Sequence, residues 1–143
     1  MEQLRNRYKQ QKTINGIPLN KNIQVMKTIL WLDDLRNPFK EHQVSIKWVC
    51  LKCLGIDISD ANVVWVKTQS EFENYIKENG LPDFISFDND LGIGYGEGYD
   101  CAKWLVEYCM DNDKELPDWT VHSANPVAKE NIENLLHNFE NRI

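Results

Sequence analysis

Apolar and polar positions along this chain form four short apolar runs separated by stretches of helical period. Thr28 to Leu32 (TILWL), Asn62 to Lys67 (NVVWVK), Phe84 to Phe87 (FISF) and Trp119 to His122 (WTVH) are nearly continuous in apolar or β-branched residues. That is the pattern of strands buried on both faces of a parallel sheet. Between the first two runs, Ser45 to Leu54 places Ile46, Val49, Cys50, Cys53 and Leu54 on one helical face and stops at Gly55. Thr68 or Ser70 caps a second helix that runs to Asn79, with Glu71 or Glu73 completing a capping box and Gly80 and Pro82 ending it. Ala102, Leu105, Val106 and Cys109 give an apolar stripe to a third helix, from about Tyr99 to Met110. Asn125 and Pro126 are an N-cap and a first helical residue for a fourth, in which Ile132, Leu135, Leu136 and Phe139 recur at helical spacing. The alternation predicts an α/β fold, a three-layer sandwich with a parallel sheet of about four strands between helices.

At 143 residues the chain suits one domain with a single sizeable core. The periodic pattern starts near Met26, so residues 1–25 are expected to be an N-terminal extension and residues 26–143 the compact α/β domain. A short polar helix through Gln11 and a turn at Asn15-Gly16-Ile17-Pro18 are the elements expected in the extension. Charge follows the same boundary: the net −6 of the chain divides into +4 over residues 1–25 and −10 over the remainder. A basic arm on an acidic body suits nucleic-acid contact, a solvated arm or a helix lying on its own acidic domain, and with no aromatic interleaving beyond Tyr8 nucleic acid is the lesser reading. No apolar stretch is long enough to cross a bilayer and no signal-peptide pattern opens the chain, so a soluble, cytoplasmic protein is expected. Four cysteines fit a reducing compartment. Cys50 and Cys53 form a CxxC, but without a second CxxC or a well-spaced histidine it reads as buried small hydrophobes before a zinc or redox pair.

The chemistry gathers at the ends of the apolar runs. The first ends in Asp33-Asp34, the third in Asp88-Asn89-Asp90, and the fourth in His122-Ser123-Ala124-Asn125. Ligands collect beyond the carboxyl ends of strands in open α/β sheets. If the runs are neighbours, these residues meet at one edge. Several carboxylates at one site repel one another unless a cation neutralises them, and Mg²⁺ or Mn²⁺ suits carboxylate oxygens with open water positions. Asp33, Asp34, Asp88 and Asp90 are therefore candidate metal ligands. His122 titrates near neutrality, as a general acid or base does; the competing reading is a satisfied core histidine. Arg36 is a planar donor for phosphate, Ser123 and Asn125 offer neutral hydrogen bonds, and Gly92 opens a glycine-rich loop whose backbone can approach a ligand. An N-cap role already accounts for Asn125, and Asp90 has the competing reading of a loop cap.

These motifs resemble the receiver domain of two-component signalling. Asp33-Asp34 matches that family's metal-binding acid pair, the stretch from Pro82 to Asp88 (PDFISFD) leads to what would be its phosphorylated aspartate, and Ser123 falls where receivers place a Ser or Thr after strand four. Two features depart from receivers: no fifth strand with its Lys follows, and the motifs at strands three and four differ. Both departures are similar to a smaller, receiver-derived family associated with processing cyclic phosphates. Leu32 to Pro38, Asp88 to Gly92, Gly98 to Leu105 and His122 to Pro126 match its ordered motifs. The resemblance implies a receiver- or flavodoxin-like sheet with the fifth strand missing.

It further implies a metal-dependent phosphoesterase whose partner is a cyclic-phosphate nucleotide, either a cyclic nucleotide second messenger or a 2′,3′-cyclic phosphate end. Its setting would be bacterial or phage conflict over nucleotide signals, in the host cytoplasm if phage-encoded. His122, Asp88 and Ser123 are then the catalytic candidates and Arg36, Asn125 and Gly92 the substrate-binding ones, with Asp88 open between nucleophile and metal ligand. A phospho-acceptor switch at Asp88 and a non-enzymatic nucleotide or partner binder are the alternatives. Removing residues 1–25 is expected to leave a protein that melts cooperatively; loss of that transition on truncation would place the arm inside the core.

Overall fold

The computed structural model describes residues 13–14, 17–18, 26–40, 43–92, 94 and 96–142. Most of the expected N-terminal extension, with its polar helix, lies outside those residues. Within it, Thr13–Ile14 pairs antiparallel with Ile17–Pro18.

Four parallel strands form the sheet: β1 (Lys27–Leu32), β2 (Ala61–Val66), β3 (Phe84–Phe87) and β4 (Asp118–Val121), in the order β2-β1-β3-β4. Each lies within a residue of its expected position. β1 and β3 are buried along most or all of their length because each has a neighbour on both sides and helices on both faces. Four helices connect and follow the strands: α1 (Gln43–Trp48), α2 (Gln69–Asn79), α3 (Gly98–Asp111) and α4 (Pro126–Glu140).

The helix expected over Ser45 to Leu54 begins two residues earlier and widens into a π-helical segment, Val49–Leu54. The wider turn lets consecutive residues Val49 and Cys50 both lie buried against the sheet. Gly55 closes the segment in the left-handed conformation (φ 63°) that glycine tolerates best, returning its N–H to the Cys50 carbonyl. The other caps follow the sequence reading. Thr68 Oγ1 accepts from Glu71 N (3.1 Å), and Asn125 Oδ1 accepts from Val127 N and Ala128 N (3.1 and 3.2 Å).

Strand alternation divides the core in two. Leu30, Leu32, Ile85 and Phe87 pack with Phe72 and Ile76 of α2, Leu105 of α3 and Leu136 of α4. Ile29, Trp31 and Phe84 point the other way, against Ile46, Val49 and Cys50 of α1 and its extension. Three helices therefore cover one face and a single helical segment the other. Chain order reverses between β1 and β3, which opens a crevice at their carboxyl ends.

One close approach holds that crevice in shape. Gly98, the first residue of α3, donates its N–H to the Asn89 carbonyl (2.8 Å) and packs directly on the Asp88–Asn89 backbone. A Cβ there would collide with the Asp88 carbonyl oxygen and lie 2.8 Å from Asn89 Cα. Backbone cannot swing aside as a side chain can. Gly98→Ala is expected to destabilise the fold by about 1–3 kcal/mol, read by chemical denaturation; unchanged stability would mean that α3 can shift freely from the strand.

Candidate active site

The hydrogen-bond ladder continues one residue beyond three strands. Asp33 N bonds to Val66 O (3.0 Å), Asp88 N to Leu32 O (3.0 Å) and His122 N to Phe87 O (2.8 Å). Asp33, Asp88 and His122 thus stand in one row on adjacent strands. Because side chains alternate faces, all three project to the side opposite Leu32, Phe87 and Val121, with Trp31 and Ser86 two residues earlier on that same side. One ligand-capable atom from each of Asp33, Asp88 and His122 lies within 4.8 Å of the others.

Within this row Asp33 is fully engaged. Its Oδ1 accepts from Leu35 N and Arg36 N (2.9 and 2.8 Å), and its Oδ2 sits 2.9 Å from His122 Nε2. Burial pushes its pKa up, but the His122 hydrogen bond and the two backbone N–H groups outweigh that and hold it below the usual aspartate value. An ionised carboxylate only accepts, so the proton of that bond belongs to Nε2. His122 Nδ1 lies 2.6 Å from Ser86 Oγ, and the ring stacks on Trp31 with centroids 4.0 Å apart and planes 5° from parallel. Both ring nitrogens and one ring face are therefore used within the protein.

Asp88 is the opposite case. Its pKa rises from 3.8 to about 6, first through burial and then through the charge of Asp33, while the Asn89 N–H and Arg36 offset only part of this and Asp34 adds to it. Asp34 is half-buried and makes no hydrogen bond or ion pair among the described residues. Asp33 and Asp88 therefore share one guanidinium, and Asp34 adds its charge beside them. Arg36 Nη1 lies 3.6 Å from Asp33 Oδ2 and 3.8 Å from Asp88 Oδ1 while donating to the His122 carbonyl (3.1 Å). Two indoles brace this loop from below, Trp31 Nε1 donating to Arg36 O (2.9 Å) and Trp65 Nε1 to Asp33 O (2.6 Å).

A family model described as the cyclic-phosphate processing receiver domain matches residues 28–138. The chain belongs to that family. Two solved structures are also similar to it at 22% identity. One is a yeast Spc42 trimeric coiled-coil fusion, with TM-score 0.49, covering 76% of this chain and 60% of that one. The other is the N-terminal domain of a response regulator/sensory box/GGDEF three-domain protein from Carboxydothermus hydrogenoformans, with TM-score 0.44, covering 76% of this chain and 74% of that one. The chain thus spans about 60% of the length of the first of these. No curated protein matches it.

In this cyclic-phosphate processing receiver domain the residues singled out from sequence separate into two groups. Asp33, Asp88, His122 and Arg36 converge, and Asp34 stands beside them. Asp90 does not join: its side chain is exposed, its only side-chain partner among the described residues is Asn89 Nδ2 (3.4 Å), and its backbone bridges to Glu97. Ser123 Oγ accepts from Asn125 N (3.2 Å) in a local turn, and Asn125 caps α4. Gly92 is exposed in the loop after Leu91, where its φ of 92° demands glycine, and it lies outside the acid row. The CxxC thiols are free; Cys50 is buried and Cys53 exposed. No helix among the described residues is long and apolar enough to cross a membrane.

Ser86 and Trp31 were not singled out from sequence. Ser86 is the one polar residue of a wholly buried strand, and a buried hydroxyl must find a partner; that was the available signal. Its small size matters equally, because it leaves the room through which His122 of β4 leans across β3 to reach Trp31 of β1.

The metal fit follows from this inventory. The charge of Asp88 is only partly offset and Asp34 has no hydrogen-bond or ion-pair partner among the described residues, which suits a hard divalent cation. The sign of the pH dependence follows too. An acid whose folded pKa lies above its unfolded one loses stability as pH rises, from about 4 through about 6 for Asp88. Asp33 acts in the reverse sense, its contribution fading as pH falls below the usual aspartate range. Without metal, Asp88→Asn is expected to remove the loss across that window and to raise stability at neutral pH by an amount on the order of 2 kcal/mol. Melting curves at pH 4.5 and 7.5 check this; a less stable variant at neutral pH would contradict the charge balance described.

Proposed function

We propose that this protein is a metal-dependent phosphoesterase that opens cyclic phosphates of nucleotides. The observation that carries the reading is the surplus of negative charge at the carboxyl ends of β1 and β3: two buried acids on one guanidinium, a third half-buried beside them, and one acid lifted to about 6. Asp88 and Asp34 would hold Mg²⁺ or Mn²⁺, with Asp33 oriented beside them by His122. A divalent ion there supplies a Lewis acid for phosphoryl oxygens and lowers the pKa of a bound water.

The chain's own groups have separate tasks. Arg36 would fork onto the phosphoryl oxygens, the planar pairing a guanidinium makes best. In hydrolysis a water oxygen forms the new bond to phosphorus, one ring P–O bond breaks, and the leaving oxygen takes up a proton. An imidazole nitrogen within 4.8 Å of an Asp88 oxygen lies within reach of a phosphate held on the acid row, directly or through one water. Exchange of the Asp33 hydrogen bond frees Nε2 for that proton, and the Trp31 stack keeps the ring in place as it does so. Ser86 fixes the ring through Nδ1. Ser123 and Asn125, placed in a turn and a cap, contribute at most secondary contacts.

The test is incubation with 3′,5′-cyclic mononucleotides, 2′,3′-cyclic nucleotides and cyclic dinucleotides, with Mg²⁺, Mn²⁺ or chelator, read by product mass. Hydrolysis of at least one class is expected, abolished by chelator and by Asp88→Asn. Metal is also expected to raise the melting temperature, because it binds the native acid row alone. His122→Ala should cut turnover per folded molecule by about 100-fold and lower stability as well, since the stack and both hydrogen bonds are lost. A panel left intact under every metal condition would overturn the reading.

A further inference from the structure

The acid row makes no use of a cavity beside it. Between the start of α3 and the outer face of α4 lies a groove of about 510 Å³, within the range of about 300–1,000 Å³ usual for small-ligand sites. Its walls include Asn89, Tyr99, Asn131, Asn134, Leu135 and Asn138. Asn89 directly follows Asp88, and Ala128 at the same groove lies one turn into α4, just past His122 and its turn. The groove thus borders the residue that directly follows Asp88.

Three of its asparagines have no structural task. Asn79 and Asn112 donate back to carbonyls four residues earlier (2.9 and 2.8 Å), and Asn125 is an N-cap. Asn131, Asn134 and Asn138 make no side-chain hydrogen bond among the described residues. They stand at i, i+3 and i+7, a single stripe of α4, although asparagine is a poor choice inside a helix. Tyr99 is 37% exposed, and its backbone N–H is pinned by Asn89 Oδ1 (3.2 Å).

The lining is chemically specific. Among the described residues it has no cation, and Glu97 at the groove adds a negative charge, so an anionic group is disfavoured there and is left to Arg36. Carboxamides present a donor and an acceptor side by side, the pattern that pairs with the edge of a heterocyclic base. A tyrosine ring supplies a stacking face for any base, and Leu135 an apolar wall. We propose that this groove is a nucleobase subsite, which receives the base of a nucleotide whose phosphate lies on the acid row. Only the phosphate end of that statement rests on the phosphoesterase reading.

Two measurements test it. First, adenosine, guanosine, cytidine and uridine, which lack phosphate, are titrated without metal into the isotope-labelled full chain. At least one is expected to shift the side-chain amide resonances of Asn131, Asn134 and Asn138, and shifts confined to other regions, or none, would overturn the subsite. Second, affinities for 2′,3′-cyclic nucleotides and for base-free ribose 2′,3′-cyclic phosphate are compared in the wild type and in N131A/N134A/N138A. The triple variant is expected to lose about tenfold or more for the nucleotides, the loss of one or two good hydrogen bonds, and nothing for the base-free ligand. Equal loss for both ligands, or loss for neither, would overturn the proposal. Should the triple variant fold poorly, the nucleoside titration decides alone. Nucleoside shifts without turnover of any cyclic phosphate would support the subsite and reject the phosphoesterase; turnover with no preference for nucleotide over base-free ligand would do the reverse.

Discussion

The structure depends on a register. β1, β3 and β4 end in step, and the ladder carries on for one residue, so Asp33, Asp88 and His122 are set side by side by backbone hydrogen bonds before any side chain interacts. The two-residue period of a strand then decides which way they face. A slip of one residue in any strand would send its member of the row into the apolar layer beneath α2, α3 and α4, where a carboxylate has no partner. The core and the site thus enforce the same register.

Within the row the two buried acids have opposite fates. Asp33 receives an imidazole and two backbone N–H groups and is held in its charged form. Asp88 receives less and is pushed toward its neutral form by burial and by Asp33 itself. The fold therefore carries electrostatic repulsion that Arg36 only partly relieves. Groups at functional sites are often strained in this way, because a residue satisfied within the fold has nothing left to offer a ligand. Asp33 and His122 are paired with each other, whereas Asp34 has no hydrogen-bond or ion-pair partner among the described residues and the charge of Asp88 is only partly offset.

The uneven layering serves the same end. With only α1 and its π-helical extension on one face, the sheet there is covered partly by its own large side chains. Trp31 and Trp65, paired across β1 and β2, turn their indole N–H groups up to the carbonyls of Arg36 and Asp33. A buried indole needs such an acceptor, so the same bonds that satisfy the tryptophans tie the Arg36 loop to the sheet. On the other face, the backbone contact of Gly98 brings the start of α3 against Asp88 and Asn89, and with it the groove that runs along α4.

Much of this was legible in the chain. Four apolar runs with helical stretches between them determine parallel strands, because only a strand buried on both faces tolerates so few polar positions, and the caps at Thr68 and Asn125 act through neighbours two or three residues away. The acids, His122 and Arg36 were visible as polar residues ending those runs. Local signals could not rank them. Asp90 and Asp88 look alike in sequence, yet the loop turns one outward while the ladder holds the other in. Ser123 looked chemical and is a turn residue; Ser86 looked like an interruption in a strand and makes the room that lets His122 reach Trp31. The π-helical widening at Val49 likewise reflects contact with the sheet more than the helix's own sequence. What the sequence by itself determined is whatever depends on neighbours within a turn or a strand. What tertiary structure decided is which polar groups find partners, since desolvation and charge pairing depend on atoms brought within a few ångströms by strands that lie far apart along the chain.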